Sequence, residues 1–270
     1  MHSEWSWDAR RGSMERTCTR AVELGLPAVA FTEHADHTRL TIPEGSFFEQ
    51  AHGHLVAEDR TLQAPPLDLT GYLESVQRCR DKYPDLKILS GVELGEAHWH
   101  ADAVATLLEA GQFDRVLGSQ HCLQVGSQRY EIPDLYLLMP PAEIMHAYLA
   151  EVHRLIESSD VFAVLGHIDY AVRGWVVNVG PFDPWAFEDE FRHVLRALAG
   201  SGRALEVNTR VPLHPEIVRW WRQEGGDAIT FASDAHEPMA LANGFAEAVA
   251  MVESIGFRPG RHPYDLWRRG

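Results

Sequence analysis

Short apolar runs alternate along this chain with longer segments in which apolar residues return every third or fourth position. The first pattern suits buried strands and the second amphipathic helices. Read this way, strands fall at 28–32, 87–94, 113–119, 161–166, 204–208 and 228–232, and helices at 13–24, 68–83, 101–110, 142–157, 185–198, 215–223 and 239–255. Punctuation agrees: Ser13 is placed to cap the first helix and Gly25 to stop it, Pro84 ends the second, and Gly111 follows the third. The stretch 36–67 breaks the rhythm, with Pro43, Pro65 and Pro66 among His37, His52 and His54. A loop this long in a compact domain is usually functional or mobile, and it reads as a lid or specificity insert over the strand ends. The region 120–141 reads as turns, 168–184 as a loop, and the basic tail 259–270 as solvated.

Strands alternating with helices predict an α/β fold with parallel strands. At 270 residues an α/β barrel is usually one domain, so 1–270 reads as a single domain carrying the 36–67 insert. An open doubly wound sheet is the alternative, but no Gly-rich phosphate fingerprint follows any strand. The strand ends instead carry residues able to bind metal. Gly91-Val92-Glu93 closes one strand; Thr32-Glu33-His34, Gly118-Ser119-Gln120-His121, Leu165-Gly166-His167 and Ser233-Asp234-Ala235-His236 close others. In a (β/α) barrel the active site is built at that end.

His34, His121, His167 and His236 offer imidazole, and Glu93 and Asp234 offer carboxylate. That mixture suits Zn, Fe or Mn better than Ca or Mg. With His2 and Asp8 the set reaches eight, more than one ion needs, which points to a multinuclear cluster around Glu93. Such a cluster supplies what phosphate ester hydrolysis requires: water acidified toward neutral pH and cations to clamp the attacking and leaving oxygens. No GxSxG elbow is present. Cys18, Cys79 and Cys122 form neither a CxxC pair nor a disulfide framework, and they fit a reducing, cytoplasmic setting.

Charge changes the picture in one respect. Lys and Arg total 24 against 39 Asp and Glu, a net charge of −15. A duplex-binding protein normally presents a basic face, so nucleic acid is not an expected partner. No apolar run is long enough to span a bilayer. The expected partner is a small phosphorylated molecule.

In these residues the chain resembles the PHP family (polymerase and histidinol phosphatase). The resemblance rests on His2-Ser3-Glu4, Thr32-Glu33-His34-Ala35-Asp36, Gly91-Val92-Glu93, Gly118-Ser119-Gln120-His121, Gly166-His167-Ile168-Asp169 and Ser233-Asp234-Ala235-His236. It implies a distorted (β/α)7 barrel with three divalent metal ions. One would be bound by His2, Glu93 and Asp234, a second by Glu93, His121 and His167, and the third by Asp8, His34 and His236. The stretch 68–93 and the Asn208-Thr209 ending are most similar to the histidinol-phosphate phosphatase branch, which implies hydrolysis of L-histidinol phosphate in histidine biosynthesis by a hydroxide bridging two metals. A nucleotide or sugar phosphate, or a non-catalytic metal-binding module, are the alternatives. Arg173 and Arg210 follow strand ends and suit bidentate phosphate binding. Asp36 or His37 is the expected proton donor to the leaving alkoxide. The family opens with His-x-His at the end of its first strand. Here only the second His stands, as His2, which implies a first strand lying upstream of Met1.

Overall fold

A computed structural model describes residues 1–270. After an N-terminal loop, the chain forms α1 (Met14–Glu23), β1 (Ala28–Ala35), β2 (Arg39–Thr41), α2 (Phe47–His52), β3 (Thr61–Gln63), α3 (Leu69–Lys82), β4 (Lys87–Gly95), α4 (Ala101–Ala110) and β5 (Arg115–Ser119). The second half carries β6 (Cys122–Val125), β7 (Gln128–Glu131), α5 (Ile132–Leu135), α6 (Pro141–Ser158), β8 (Val164–Leu165), α7 (Val172–Asn178), α8 (Glu188–Gly200), β9 (Ala204–Asn208), α9 (Pro215–Gln223), β10 (Ala228–Ala232), α10 (Phe245–Ile255), β11 (Phe257–Arg258) and β12 (Trp267–Arg269).

The helices follow from local rules. In α1 the Ser13 side chain accepts from Arg16 N, and Met14, Thr17, Cys18 and Ala21 make one buried face. α8 opens on Glu188, Asp189 and Glu190, which suit the positive end of a helix, and buries Phe191, Val194, Leu195 and Leu198. That face packs with Tyr148 of α6 and Trp220 and Trp221 of α9 into the larger core. A smaller core joins α1 and α3, through Met14, Cys18, Tyr72 and Val76, to Phe31 and Ile88 of the sheet.

Six strands run parallel in the order β1–β4–β5–β8–β9–β10. The order predicts that β1 and β10 lie at opposite edges, yet they approach each other at their C-terminal ends. Thr32 N donates to Met1 O, and His2 N donates to Ala235 O, so residues 1–2 bridge from β1 to the chain just beyond β10. The sheet therefore curls toward a barrel, and the ends of all six strands face one centre. The N-terminal half of β10 pairs instead with β12, antiparallel, which in turn pairs with β11.

Five expectations are corrected. The turn-rich region holds a hairpin, β6–β7, turning at Gly126 in the left-handed conformation (φ 63°). The loop before Pro184 contains α7, made possible where Tyr136 lies against Gly174, whose added Cβ would sit 2.4 Å from that ring. The strand expected at 161–166 is only Val164–Leu165. The tail is structured: Trp267 packs edge-on against Phe231 at 5.2 Å between ring centroids, which explains why β12 adds to the sheet. The 36–67 insert is more regular than its prolines suggest: β2 and β3 pair antiparallel and carry α2 between them.

The N-terminal loop is held by one buried carboxylate. Glu33 accepts from Ser3 N (2.9 Å), Ser3 Oγ (2.6 Å) and Ser6 Oγ (2.6 Å), while Ser6 Oγ in turn accepts from His34 N (3.0 Å). Removing the acceptor strands several buried donors at once, at about 1–3 kcal/mol each where no water replaces it. Glu33→Ala is expected to lower unfolding free energy by roughly 3 kcal/mol in urea denaturation; a loss below about 0.5 kcal/mol, the level of an ordinary surface substitution, would show that the loop is held otherwise.

Candidate metal centre

All eight residues expected as ligands come together at the strand ends. β1 delivers His34 directly beside Glu93 of β4, its register partner. His121 and His167 follow β5 and β8, Asp234 and His236 follow β10, and the anchored loop supplies His2 and Asp8. Glu93 is central. Its Oε1 lies 2.8 Å from His167 Nε2 and 3.2 Å from His121 Nε2, and those two nitrogens are 3.3 Å apart. Its Oε2 lies 3.4 Å from His2 Nε2, which is also 3.2 Å from Asp234 Oδ1. Asp8 Oδ2 lies 2.9 Å from His236 Nε2 and 3.5 Å from His34 Nε2. The His2 ring stacks on His34 at 4.2 Å and sits 4.4 Å from His236, so the three groups form one cluster.

The donor set fits divalent metal ions. Two imidazole nitrogens and a carboxylate oxygen converge within 3.3 Å of one another at Glu93. Such an arrangement leaves lone pairs facing lone pairs unless a cation or proton lies between them. Asp8 Oδ1 is buried with no hydrogen-bond partner, a second unmet demand for positive charge. His, Asp and Glu in this proportion suit Zn, Fe or Mn.

Charge coupling is strong. Burial would raise the Glu93 pKa, but His121 and His167 hold it well below the usual carboxylate range. Burial would lower His121, yet Asp36 and Glu93 hold it well above the usual imidazole value. His2 is raised: burial and His236 oppose protonation, but Asp234 and Glu93 outweigh them. Asp234 is lowered despite burial, first by Arg173 and then by His2.

A second layer that sequence reasoning missed positions these groups. Buried Glu96, in the left-handed region at φ 46°, accepts from His121 N (2.7 Å), Cys122 N (3.0 Å) and Thr38 Oγ1 (2.8 Å). Buried Glu206 accepts from His167 N (3.2 Å) and Asn208 Nδ2 (2.9 Å). Asp234 is also left-handed, at φ 47°, and backbone strain of this kind clusters at functional sites. One signal was available for Glu96: a second acidic residue shortly after Glu93 at the same strand end.

The cluster floors a cavity of about 490 Å³. Arg173 is half-buried, ion-paired to Asp234 and stacked 4.6 Å over the Tyr170 ring; Arg210 is exposed, 3.5 Å from Asp234 Oδ2. Both line the cavity. The insert forms much of the opposite wall through Thr38, Leu40, Phe48, His52 and Leu62, beside Trp7. The two expected proton donors are placed differently. Asp36 is at the site, but His34, His121 and Trp7 hold its carboxyl below the usual range against the effect of burial, so it is an anion rather than an acid. His37 does not line the cavity; its ring faces His100 at 5.9 Å. His98 pairs with Glu151 at 2.7 Å and is structural.

The histidine shifts have a pH consequence. A group whose folded pKa is raised stabilises the fold below its ordinary pKa and loses that contribution as pH climbs through the folded value. Chelator-stripped protein is therefore expected to lose thermal stability above about pH 6.5, as His121 and His2 deprotonate. Zinc added at pH 7 is expected to release protons, read as buffer-dependent enthalpies in calorimetry. Buffer-independent enthalpies would show that these imidazoles are already neutral.

Comparison with known proteins bears on the fold and on the family. A solved structure of histidinol phosphate phosphatase from Lactococcus lactis, complexed with Zn, L-histidinol and phosphate, superposes with a TM-score of 0.76 at 22% identity, covering 96% of this chain and 92% of that one. In sequence, a histidinol-phosphatase of Lactococcus lactis is 24% identical over 95% of this chain and 90% of its own length. A Thermotoga maritima protein named probable histidinol-phosphatase is 29% identical over 95% of this chain and 91% of its own length. The model of the PHP domain matches residues 1–210. With that match spanning most of the chain and the cluster at its strand ends, the protein belongs to the PHP domain family.

Proposed function

We propose that this protein is a metal-dependent phosphomonoesterase that hydrolyses L-histidinol phosphate to L-histidinol and phosphate. The observation that carries the reading is the convergence of His2, His121 and His167 on the two oxygens of one buried carboxylate, Glu93. The names of its relatives support the substrate. Three divalent ions, Zn, Fe or Mn, would be held by His2, Glu93 and Asp234; by Glu93, His121 and His167; and by Asp8, His34 and His236. Bound there, they would acidify water and neutralise phosphate oxygens.

The chain's own residues supply the rest. Arg173 and Arg210 approach Asp234 from the cavity side, so a phosphate lying over the cluster would meet two guanidinium groups that bind its oxygens in forked geometry. Arg173 is pre-positioned by Tyr170, whose hydroxyl donates to Glu131. The leaving alcohol carries an imidazole and an ammonium. Trp7, Phe48 and His52 form a ring-lined wall, with centroids 4.7–5.9 Å apart, suited to a flat ring. Glu131 lines the same cavity, and burial pushes its carboxyl up to about 8. An arriving ammonium would lower that pKa, so the carboxyl would release its proton to water and pair with the cation as a carboxylate. The 36–67 insert would act as the wall that shapes this leaving-group pocket and sheds water from it.

Phosphate release from L-histidinol phosphate tests the reading, with metal content measured on the same samples. Glu93→Gln is expected to lower kcat/KM by at least about a hundredfold, as the loss of a cluster ligand should. Arg210→Ala is expected to raise KM by roughly tenfold, as the loss of one charge-assisted phosphate contact should. Equal turnover of nucleotide and sugar phosphates would overturn the substrate; absence of turnover at full metal content would make the protein a binding module.

A further inference from the structure

Asp36 is tied to the cluster through atoms that face away from its centre. His34 and His121 point their Nε2 atoms inward, toward Asp8 and Glu93 respectively. Their Nδ1 atoms both turn to Asp36: His34 Nδ1 lies 3.4 Å from Oδ2, and His121 Nδ1 lies 3.6 Å from Oδ1. These two imidazoles belong to different metal positions in the reading above. His34 Nδ1 and Asp36 Oδ1 are both buried without a hydrogen-bond partner; the group facing the first is Asp36 Oδ2, and the group facing the second is His121 Nδ1.

Two further features hold the carboxylate in place. Trp7 Nε1 donates to Asp36 Oδ2 at 2.8 Å. Gly95, at the end of β4, leaves room: a Cβ there would sit 2.3 Å from Asp36 Oδ1 and 3.4 Å from His121 Nδ1. A glycine two residues beyond Glu93 thus opens the space that lets one carboxylate reach two rings.

We infer that Asp36 is a positioning residue that sets the tautomer of His34 and His121 together, fixing Nδ1–H on both so that both Nε2 lone pairs face the metal cluster. The inference rests on the metal-site reading but not on the substrate. A carboxylate behind a metal-bound imidazole orients the ring and raises its basicity, and removing one typically weakens metal binding 10–100-fold. Here a single residue would do so at two positions, coupling them. Through Trp7, which lines the cavity, that coupling also reaches the wall of the leaving-group pocket.

The test uses Asp36→Asn with Zn²⁺ alone, without substrate. Zinc titration is expected to show two positions weakened by roughly 10–100-fold. Long-range proton–nitrogen spectra of the zinc-loaded protein are expected to show Nδ1–H tautomers at His34 and His121 in the parent and a changed pattern in the variant. Trp7→Phe and Gly95→Ala, which leave the carboxylate in the chain, are expected to weaken zinc binding in the same two positions, and they stand in if Asp36→Asn does not fold. Zinc isotherms that superpose on the parent's, or unchanged tautomers, would overturn the inference. Loss of one ion with the others bound as tightly as before would also overturn it, by making Asp36 a ligand itself. Failure to hydrolyse histidinol phosphate would leave the zinc readouts intact and would count only against the proposed substrate.

Discussion

The structure depends on one buried carboxylate that faces two ways. Glu93 meets His2 with one oxygen and His121 and His167 with the other. In the protein interior an uncompensated carboxylate is costly, and a buried ion pair is worth its desolvation only when its geometry is well satisfied. The fold meets that demand by aiming three histidines from three separate segments at a single group. Each segment must arrive in register, so the ladder between β1 and β4, which sets His34 beside Glu93, is part of the site rather than a scaffold beneath it.

Around that centre lies a repeated device. Glu33 gathers Ser3 and Ser6, Glu96 gathers the backbone of His121 and Cys122, and Glu206 takes the backbone N–H of His167. In each case a buried carboxylate sits behind a loop that carries a cluster residue and accepts its otherwise orphaned donors. At Glu96 and Glu206 burial still holds the carboxyl above its usual range, with these hydrogen bonds acting against it, and the loop loses its freedom to move. This explains how ligands on loops, ordinarily the mobile part of a barrel, can converge within about a hydrogen-bond length of each other. It also explains why His2 is a cluster residue although no regular strand carries it: Glu33 and the bridging bonds of residues 1–2 replace the strand's register.

Much of this was legible in the sequence because strand ends are marked. An apolar run that stops at Glu93, His167 or Asp234 announces both the end of the strand and the chemistry placed there. Most of the second layer was not legible, since Glu33 and Glu206 look like ordinary acidic residues until their donors are seen, and only Glu96 was hinted at by its place just past Glu93. Tertiary contacts decided the misread elements. The run Val172–Asn178 is rich in β-branched residues and contains Gly174, yet it forms a helix because Tyr136 packs onto that glycine. The basic tail becomes a strand because Trp267 finds Phe231. Only the hairpin after His121 had a local signal, Gly126-Ser127 between two alternating runs, that a closer reading of turn chemistry would have found.

The cluster also sets protons and metal ions in direct competition. The same carboxylates that would draw metals to the centre hold His2 and His121 toward the protonated state, because either cation answers the same unmet charge. Divalent ions must then displace protons from nitrogens that the site itself has made basic, so affinity and pH are one equilibrium rather than two. Arg173 belongs to the same balance. Paired with Asp234 and stacked on Tyr170, it is a fixed positive charge that cannot be displaced by either competitor. It keeps Asp234 ionised at every stage and leaves a guanidinium already in place where the negative charge of a phosphate would arrive.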